Sequence, residues 1–190
     1  MSGYSTYERI VVALVGSVVL FFLFSIVHAF QDIPFEMESS VVVEATPEQI
    51  WPYIEEPEMR PVWQWRIIHV NSLTPTKMDV GSRQWLFYSY YESRWDGEEV
   101  VTQYEENNLW AASRTSTRTN ASVAIGLKRL SDVKGKPQTK VTYIEKVLEL
   151  EYEKRINFIF EGQKAQTHTE NSLLRLKELV EDGLASSTGK

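Results

Sequence analysis

Arg114, Glu145 and His69 are the residues of this chain whose types and strand-like surroundings could place an acid or base inside a fold, polarising a carbonyl or moving a proton. A plainer reading stands beside that one and carries more weight. Arg114 and Glu145 fit exposed charges in cross-strand pairs, and His69 fits a side chain on a sheet surface. The histidines His28, His69 and His168 lie far apart, with no HExxH and no paired His/carboxylate spacing, so no metal site is expected. GxGxxG, GxSxG and the GxxxxGK phosphate loop are all absent, which removes the signatures of dinucleotide, hydrolase and nucleoside triphosphate chemistry. Without Cys there is no thiol nucleophile, thiolate metal site or disulfide framework. No catalytic residue is assigned, and no cofactor is expected.

Aromatic residues are the other chemical resource. Six Trp, nine Tyr and eight Phe are many for 190 residues, and such rings offer rigid surface to flat or greasy molecules. Alternate residues of a strand share a face. Trp85, Phe87 and Tyr91 therefore share one phase, Trp110, Ala112 and Arg114 a second, and Val141, Tyr143 and Glu145 a third. Periodicity alone does not say which phase turns inward, and core or sheet surface explains any single ring.

The elements that must carry these residues begin with a membrane segment. Ile10 to Gln31 holds no charged residue, and Ile10 to Val27 reads IVVALVGSVVLFFLFSIV. As a helix, residues 10–30 cover about 30 Å, the thickness of a bilayer's hydrocarbon core. A soluble core helix would need a polar face, which this segment lacks. The rival is a cleavable signal peptide ending at Val27, His28 and Ala29, which would leave a secreted domain. Against cleavage stand the length of the run and the thin positive charge ahead of it, Arg9 offset by Glu8. Arg9 and the terminal amine precede the segment, whereas Asp32, Glu36 and Glu38 follow it, so the N-terminus is expected in the cytoplasm and the domain outside. Gly16 and Ser17 are too few small residues to specify a helix dimer. The Asn120-Ala121-Ser122 sequon is read as chance.

The net charge of −6 speaks against a nucleic-acid surface, which needs clustered Lys and Arg. With 43% hydrophobic and 24% charged residues, the chain after the anchor suits one packed domain. Expected divisions are an N-terminal segment (1–9), the transmembrane helix (10–30), a linker (31–37), the domain (38–183) and a flexible tail (184–190). Within the domain, Ser39 to Glu44 predicts a strand, and Thr46-Pro47-Glu48-Gln49 a capping box opening a helix with Ile50, Trp51 and Ile54 on its apolar face. Pro57 and Pro61 bracket a second short helix leading to Trp63, Trp65 and a strand through Ile67, Ile68 and Val70. Strands follow at 81–91, 98–104, 109–117, 121–130 and 139–150, with a tight turn expected at Asp96-Gly97, a loop at Glu105 to Asn108 and a break at Gly135-Lys136-Pro137. From Tyr152 to Glu181 the spacing of Ile156, Ile159 and Phe160, then Leu173, Leu176 and Val180, predicts a long helix, which its polar middle from Glu161 to Ser172 either interrupts near Gly162 or carries across a wetter region.

That order of elements resembles the START-like (SRPBCC) superfamily, in its polyketide cyclase/dehydrase and lipid-transport branch. VVVEATPEQIWPYIEEPEMRPVWQW matches the family's strand, turn, helix with a Trp, and loop ending in a Trp, here Ala45, Pro47, Trp51 and Trp63. VGSRQW at Val80 to Trp85 is similar to its Gly-led strand, and ENSLLRLKELVED at Glu170 to Asp182 to its final helix. The resemblance covers residues 38–183. It implies an α+β helix-grip fold, a curved antiparallel sheet of about seven strands around a long C-terminal helix, with a cavity between them for a lipid or other hydrophobic small molecule. The cavity candidates are then Trp63, Trp85, Phe87, Trp110, Arg114, Tyr143 and Glu145. The function expected is a membrane-anchored binding module. Its alternatives are a polyketide cyclase/dehydrase-type enzyme using acid/base groups in the same cavity, and a partner-binding protein whose cavity its own side chains fill.

Overall fold

A computed structural model describes residues 6–30, 35–74, 77–90, 92–149 and 152–188. Tyr91 and residues 31–34 of the expected linker lie outside the described residues. The first element, α1 (Thr6–Phe30), is a single 25-residue helix. Its stretch Ile10–Val27 has a mean hydropathy of 3.0 and is 6% buried, long and apolar enough to cross a membrane. Within it the hydroxyls of Ser17 and Ser25 donate to the carbonyls of Ala13 and Phe21, each at 2.9 Å, so neither needs water.

The domain is one seven-stranded antiparallel sheet in the order β1-β7-β6-β5-β4-β3-β2. Its strands are β1 (Phe35–Val43), β2 (Ile67–Ser72), β3 (Arg83–Tyr90), β4 (Ser93–Glu105), β5 (Leu109–Ser116), β6 (Asn120–Arg129) and β7 (Thr139–Glu149). Between β1 and β2 run α2 (Pro47–Glu55) and α3 (Arg60–Trp63), and the chain closes with α4 (Tyr152–Thr188). The capping box opens α2 as its sequence predicts: the Thr46 N–H donates to Gln49 Oε1 at 2.8 Å. Ile50, Trp51 and Ile54 then enter a core built from β1, β5, β6, β7 and the apolar end of α4, where Leu173, Leu176 and Val180 are buried.

Three local expectations give way. Asp96-Gly97 forms no turn, because β4 runs straight through it and the chain reverses between Tyr90 and Ser93. Gly97 instead marks a close approach of β4 and β5: a Cβ there would lie 2.7 Å from the Thr115 carbonyl oxygen and 2.8 Å from the Ser116 Cβ. Next, α4 extends beyond residue 183 into the expected tail, and at Gly162 it follows the uninterrupted of the two readings. One interior Gly costs only about 1 kcal/mol, which 37 cooperatively hydrogen-bonded residues absorb. Finally, β1 starts at Phe35, inside the segment read as linker, because its pairing with β7 continues to Phe35 opposite Val147.

Candidate functional site

Cross-strand register decides which phases turn inward. Gln84 pairs with Glu99, Glu99 with Arg114, and Arg114 with Ala121, so these side chains form one row across the concave face. Neighbouring inward rows pair Val123 with Glu145 and Ile125 with Tyr143, and Tyr88 with Trp95. Two of the three phases marked in the sequence, those of Trp110/Arg114 and Tyr143/Glu145, therefore face α4. The Trp85/Phe87 phase faces the opposite way.

Between the concave face, the α3–β2 junction and α4 lies a cavity of about 100 Å³. Tyr88, Trp95, Arg114, Ala121, Tyr143 and Glu145 form its sheet wall, with Met37 from β1; Trp63, Gln64, Trp65 and Arg66 come from the junction. Ala165, His168, Thr169 and Ser172 supply the helix wall. The polar middle of α4, which breaks the apolar periodicity of that helix, is thus where it covers the cavity instead of packing in the core. At the rim, Trp65 and His168 stack, and the Ser172 hydroxyl accepts the Trp65 N–H at 2.9 Å. Arg66 turns the chain here with φ = 76°, a left-handed conformation uncommon for a side chain of its size. A wider, more open depression of about 670 Å³ lies against Glu55, Glu56 and Glu58, but its shallow acidic wall encloses nothing.

Beside the cavity, on the same face of the sheet, sits a buried ionic cluster. Arg60 and Glu99 are fully buried and Arg114 is 8% exposed. Arg60 donates to Glu99 through Nη1 at 2.5 Å and Nη2 at 3.0 Å, to Gln84 Oε1 at 2.7 Å and to Gln64 Oε1 at 3.3 Å. Arg114 Nε donates to Glu99 Oε2 at 2.7 Å, and its Nη1 to the Tyr143 hydroxyl at 3.3 Å, which in turn donates to Glu145 at 3.0 Å. Burial pushes the Glu99 carboxyl up, yet the two guanidiniums outweigh it and hold the group below the usual carboxylate range. Arg114 is likewise penalised by burial but kept protonated by Tyr143 and Glu99. Burial raises the Tyr143 phenol far out of its ordinary range and Tyr88 to about 12, so both remain hydroxyl donors at neutral pH.

Of the seven residues singled out in the sequence, the structure brings Trp63, Arg114, Tyr143 and Glu145 together at the cavity. Trp110 is fully buried and lies beyond the cavity in the core, its ring 4.8 Å from the Arg60 guanidinium carbon and its Nε1 directed at Met78. Trp85 and Phe87 sit on the outer face, Trp85 donating to Asp96 at 3.0 Å and Phe87 against His69. His69 is correspondingly outside, bonded to Asn71. Arg60, Gln64, Gln84, Tyr88, Trp95 and Glu99 escaped the sequence reading. Gln84 and Glu99 each flank a buried apolar residue at spacing two, Leu86 and Val101, which is a detectable signal once the inward phase is known. Among the described residues no group of three His, Asp or Glu is placed to hold a metal ion.

No family model matches the chain, and no curated protein matches it. Solved structures do. The chain is similar to the ZhuI aromatase/cyclase from Streptomyces sp. R1128, with TM-score 0.60 and 11% identity over 78% of this chain and 94% of that one. A conserved protein from Geobacillus kaustophilus matches with TM-score 0.60 and 12% identity over 78% and 96% of the two chains. Ara h 8.0201 matches with TM-score 0.54 and 11% identity over 78% and 99%. With the seven-stranded sheet and long closing helix, these matches define the fold as a helix-grip fold.

Proposed function

We propose that the protein is a membrane-anchored binding module that holds a hydrophobic small molecule between its sheet and α4. The observation that carries this reading is the cavity itself, a space between sheet and helix where aromatic and aliphatic side chains such as Trp63, Trp95, Met37 and Ala165 meet a comparable share of polar ones such as Arg114, Glu145 and Thr169, a concave site with groups able to orient a ligand. Support for the anchor comes from the length and uncharged surface of the Ile10–Val27 stretch of α1, which would keep the cavity beside the bilayer where apolar compounds concentrate. Our reading places the N-terminus in the cytoplasm and the domain outside it. Acid/base chemistry on a bound carbonyl is a second reading, favoured by the Tyr143–Glu145 hydrogen bond inside the cavity.

The test is native mass spectrometry of the full chain released from detergent, after incubation with membrane lipid extract. A bound mass that solvent extraction removes is the expected result, and replacing Ala165 in the helix wall with Phe should abolish it. A clean polypeptide mass under all conditions would sink the binding-module reading. Conversion of the extracted compound on re-addition would favour the enzyme.

A further inference from the structure

The cavity lies toward one end of the sheet, and α1 joins the chain at that same end. β1 starts at Phe35, paired with Val147 near the close of β7. Across the sheet this end continues through the start of β6, the close of β5, the start of β4, the close of β3 and the start of β2. Met37, Glu145, Ala121, Ser116, Trp95 and Tyr88 carry the cavity wall to these strand ends, whereas the core around Val43, Trp110 and Leu173 fills the other end. Burial then separates the floor of the cavity from its mouth. Trp63, Gln64, Arg114 and Tyr143 are buried, while Tyr88, Trp95, Ser116 and Thr119 are half-buried and Trp65 is 48% exposed. The mouth therefore lies between the α3–β2 junction and the ends of β4 and β5.

The tether to the anchor is short. From Phe30, the last residue of α1, to Phe35 there are five Cα–Cα steps, which reach about 18 Å at full extension. Met37 follows about 7 Å further along β1. A domain of this size has a radius of gyration of about 15 Å, so the tether is shorter than the domain is wide. It holds the cavity end of the sheet, and not the core end, next to the membrane. A second observation agrees: α1 packs against α4, the helix that walls the cavity, and Ser25 near the C-terminal end of α1 is buried.

The rim has the chemistry of a membrane interface. Trp side chains collect where headgroups meet hydrocarbon, and Arg lays its stem on apolar surface while its charge stays in water. Trp65 and Trp95 flank the mouth, and the exposed Arg118 places its guanidinium carbon 4.5 Å from the centre of the Trp95 ring. Exposed Glu36 and Glu92 accompany Arg94 and Arg118 at this end, so acids and bases are mixed there and the contact does not depend on anionic lipid. Resting on the anchor reading above, we propose that the mouth of the cavity docks on the surface of the bilayer that holds α1, with Trp65 and Trp95 in its interfacial layer. A compound dissolved in that bilayer then reaches the cavity without crossing bulk water.

All six Trp lie outside α1, so their emission reports on the domain alone. The test reconstitutes the full chain in phosphatidylcholine vesicles, with or without bromine on the acyl chains close to the glycerol backbone, and compares tryptophan emission. Emission should fall in the brominated vesicles. Replacing both Trp65→Phe and Trp95→Phe should remove most of that loss, and Trp85→Phe, on the outer face of the sheet, should remove none. The comparison on the unmodified chain stands whether or not the variants fold. Equal emission in the two kinds of vesicle, from a chain that floats with them, would overturn the docked mouth and leave the anchor standing. Quenching that survives the double replacement would put another face on the bilayer and overturn the proposal too. A chain that does not float with the vesicles would take the anchor reading down with it.

Discussion

The indole of Trp65 lies flat on the imidazole of His168, with 4.1 Å between ring centres and 10° between planes. This stack ties the α3–β2 junction to the stretch of α4 that roofs the cavity. Burial first, then the charges of Arg66 and Lys164, lower the His168 pKa from its ordinary 6.5. The folded state therefore prefers the neutral ring. Its contribution is complete above the unfolded value and declines as pH falls through 6.5 towards the folded one. Wild type should lose more melting temperature between about pH 7.5 and about pH 5.5 than His168→Phe, which keeps the stack without the titration. Equal losses in scanning calorimetry would remove His168 from the account.

Glu99 is the single carboxylate between two buried guanidiniums. Removing one partner of a buried ion pair leaves uncompensated charge, at a cost of about 3–5 kcal/mol. Glu99→Ala should destabilise the protein by that amount in urea unfolding. A loss below about 1 kcal/mol would mean that water enters and solvates the cluster.

At Gly97 the neighbours of an added Cβ are the Thr115 carbonyl and Ser116, strand backbone that cannot swing aside. Overpacking of this kind costs about 1–3 kcal/mol. Gly97→Ala should fall in that range, whereas Gly126→Ala, where a Cβ meets nothing within 4 Å, should not.

Leu20 is 68% exposed near the middle of α1. An Arg at a helix centre in the bilayer costs about 2.5–3.5 kcal/mol to insert. Leu20→Arg should raise the fraction released by alkaline carbonate, while the unmodified chain stays with the membrane pellet. Release of the unmodified chain by salt alone would end the integral-anchor reading.

How far the sequence could be read follows from the range of each interaction. The succession of strands along the chain, the capping box of α2 and the amphipathic end of α4 rest on neighbours within a few residues, so local patterns expose them. Arg114, Tyr143 and Glu145 reach the cavity through strand alternation plus register, and alternation alone was enough to group them with their neighbours, whereas Trp63 arrives from the end of α3. Asp96-Gly97 misled because the same dipeptide suits a hairpin turn and a tight inter-strand contact, and the choice depends on β5, about twenty residues away in sequence. Arg60 was invisible for a similar reason. Its partners Gln84 and Glu99 lie 24 and 39 residues further on, and nothing around Arg60 in a Pro-bounded turn announces that it is buried.

The two described parts of α4 are held very unequally. Leu173, Leu176 and Val180 fix its C-terminal part in the core, whereas over the cavity Ala165 is the buried apolar contact and His168, Thr169 and Ser172 are small or polar. Amide hydrogen exchange should therefore be slow from about Leu173 onward and much faster over 164–172, because local opening needs little apolar surface to be exposed there. The residence time of anything in the cavity would follow the frequency of that local opening. Mutations that change global stability through the core could leave it untouched.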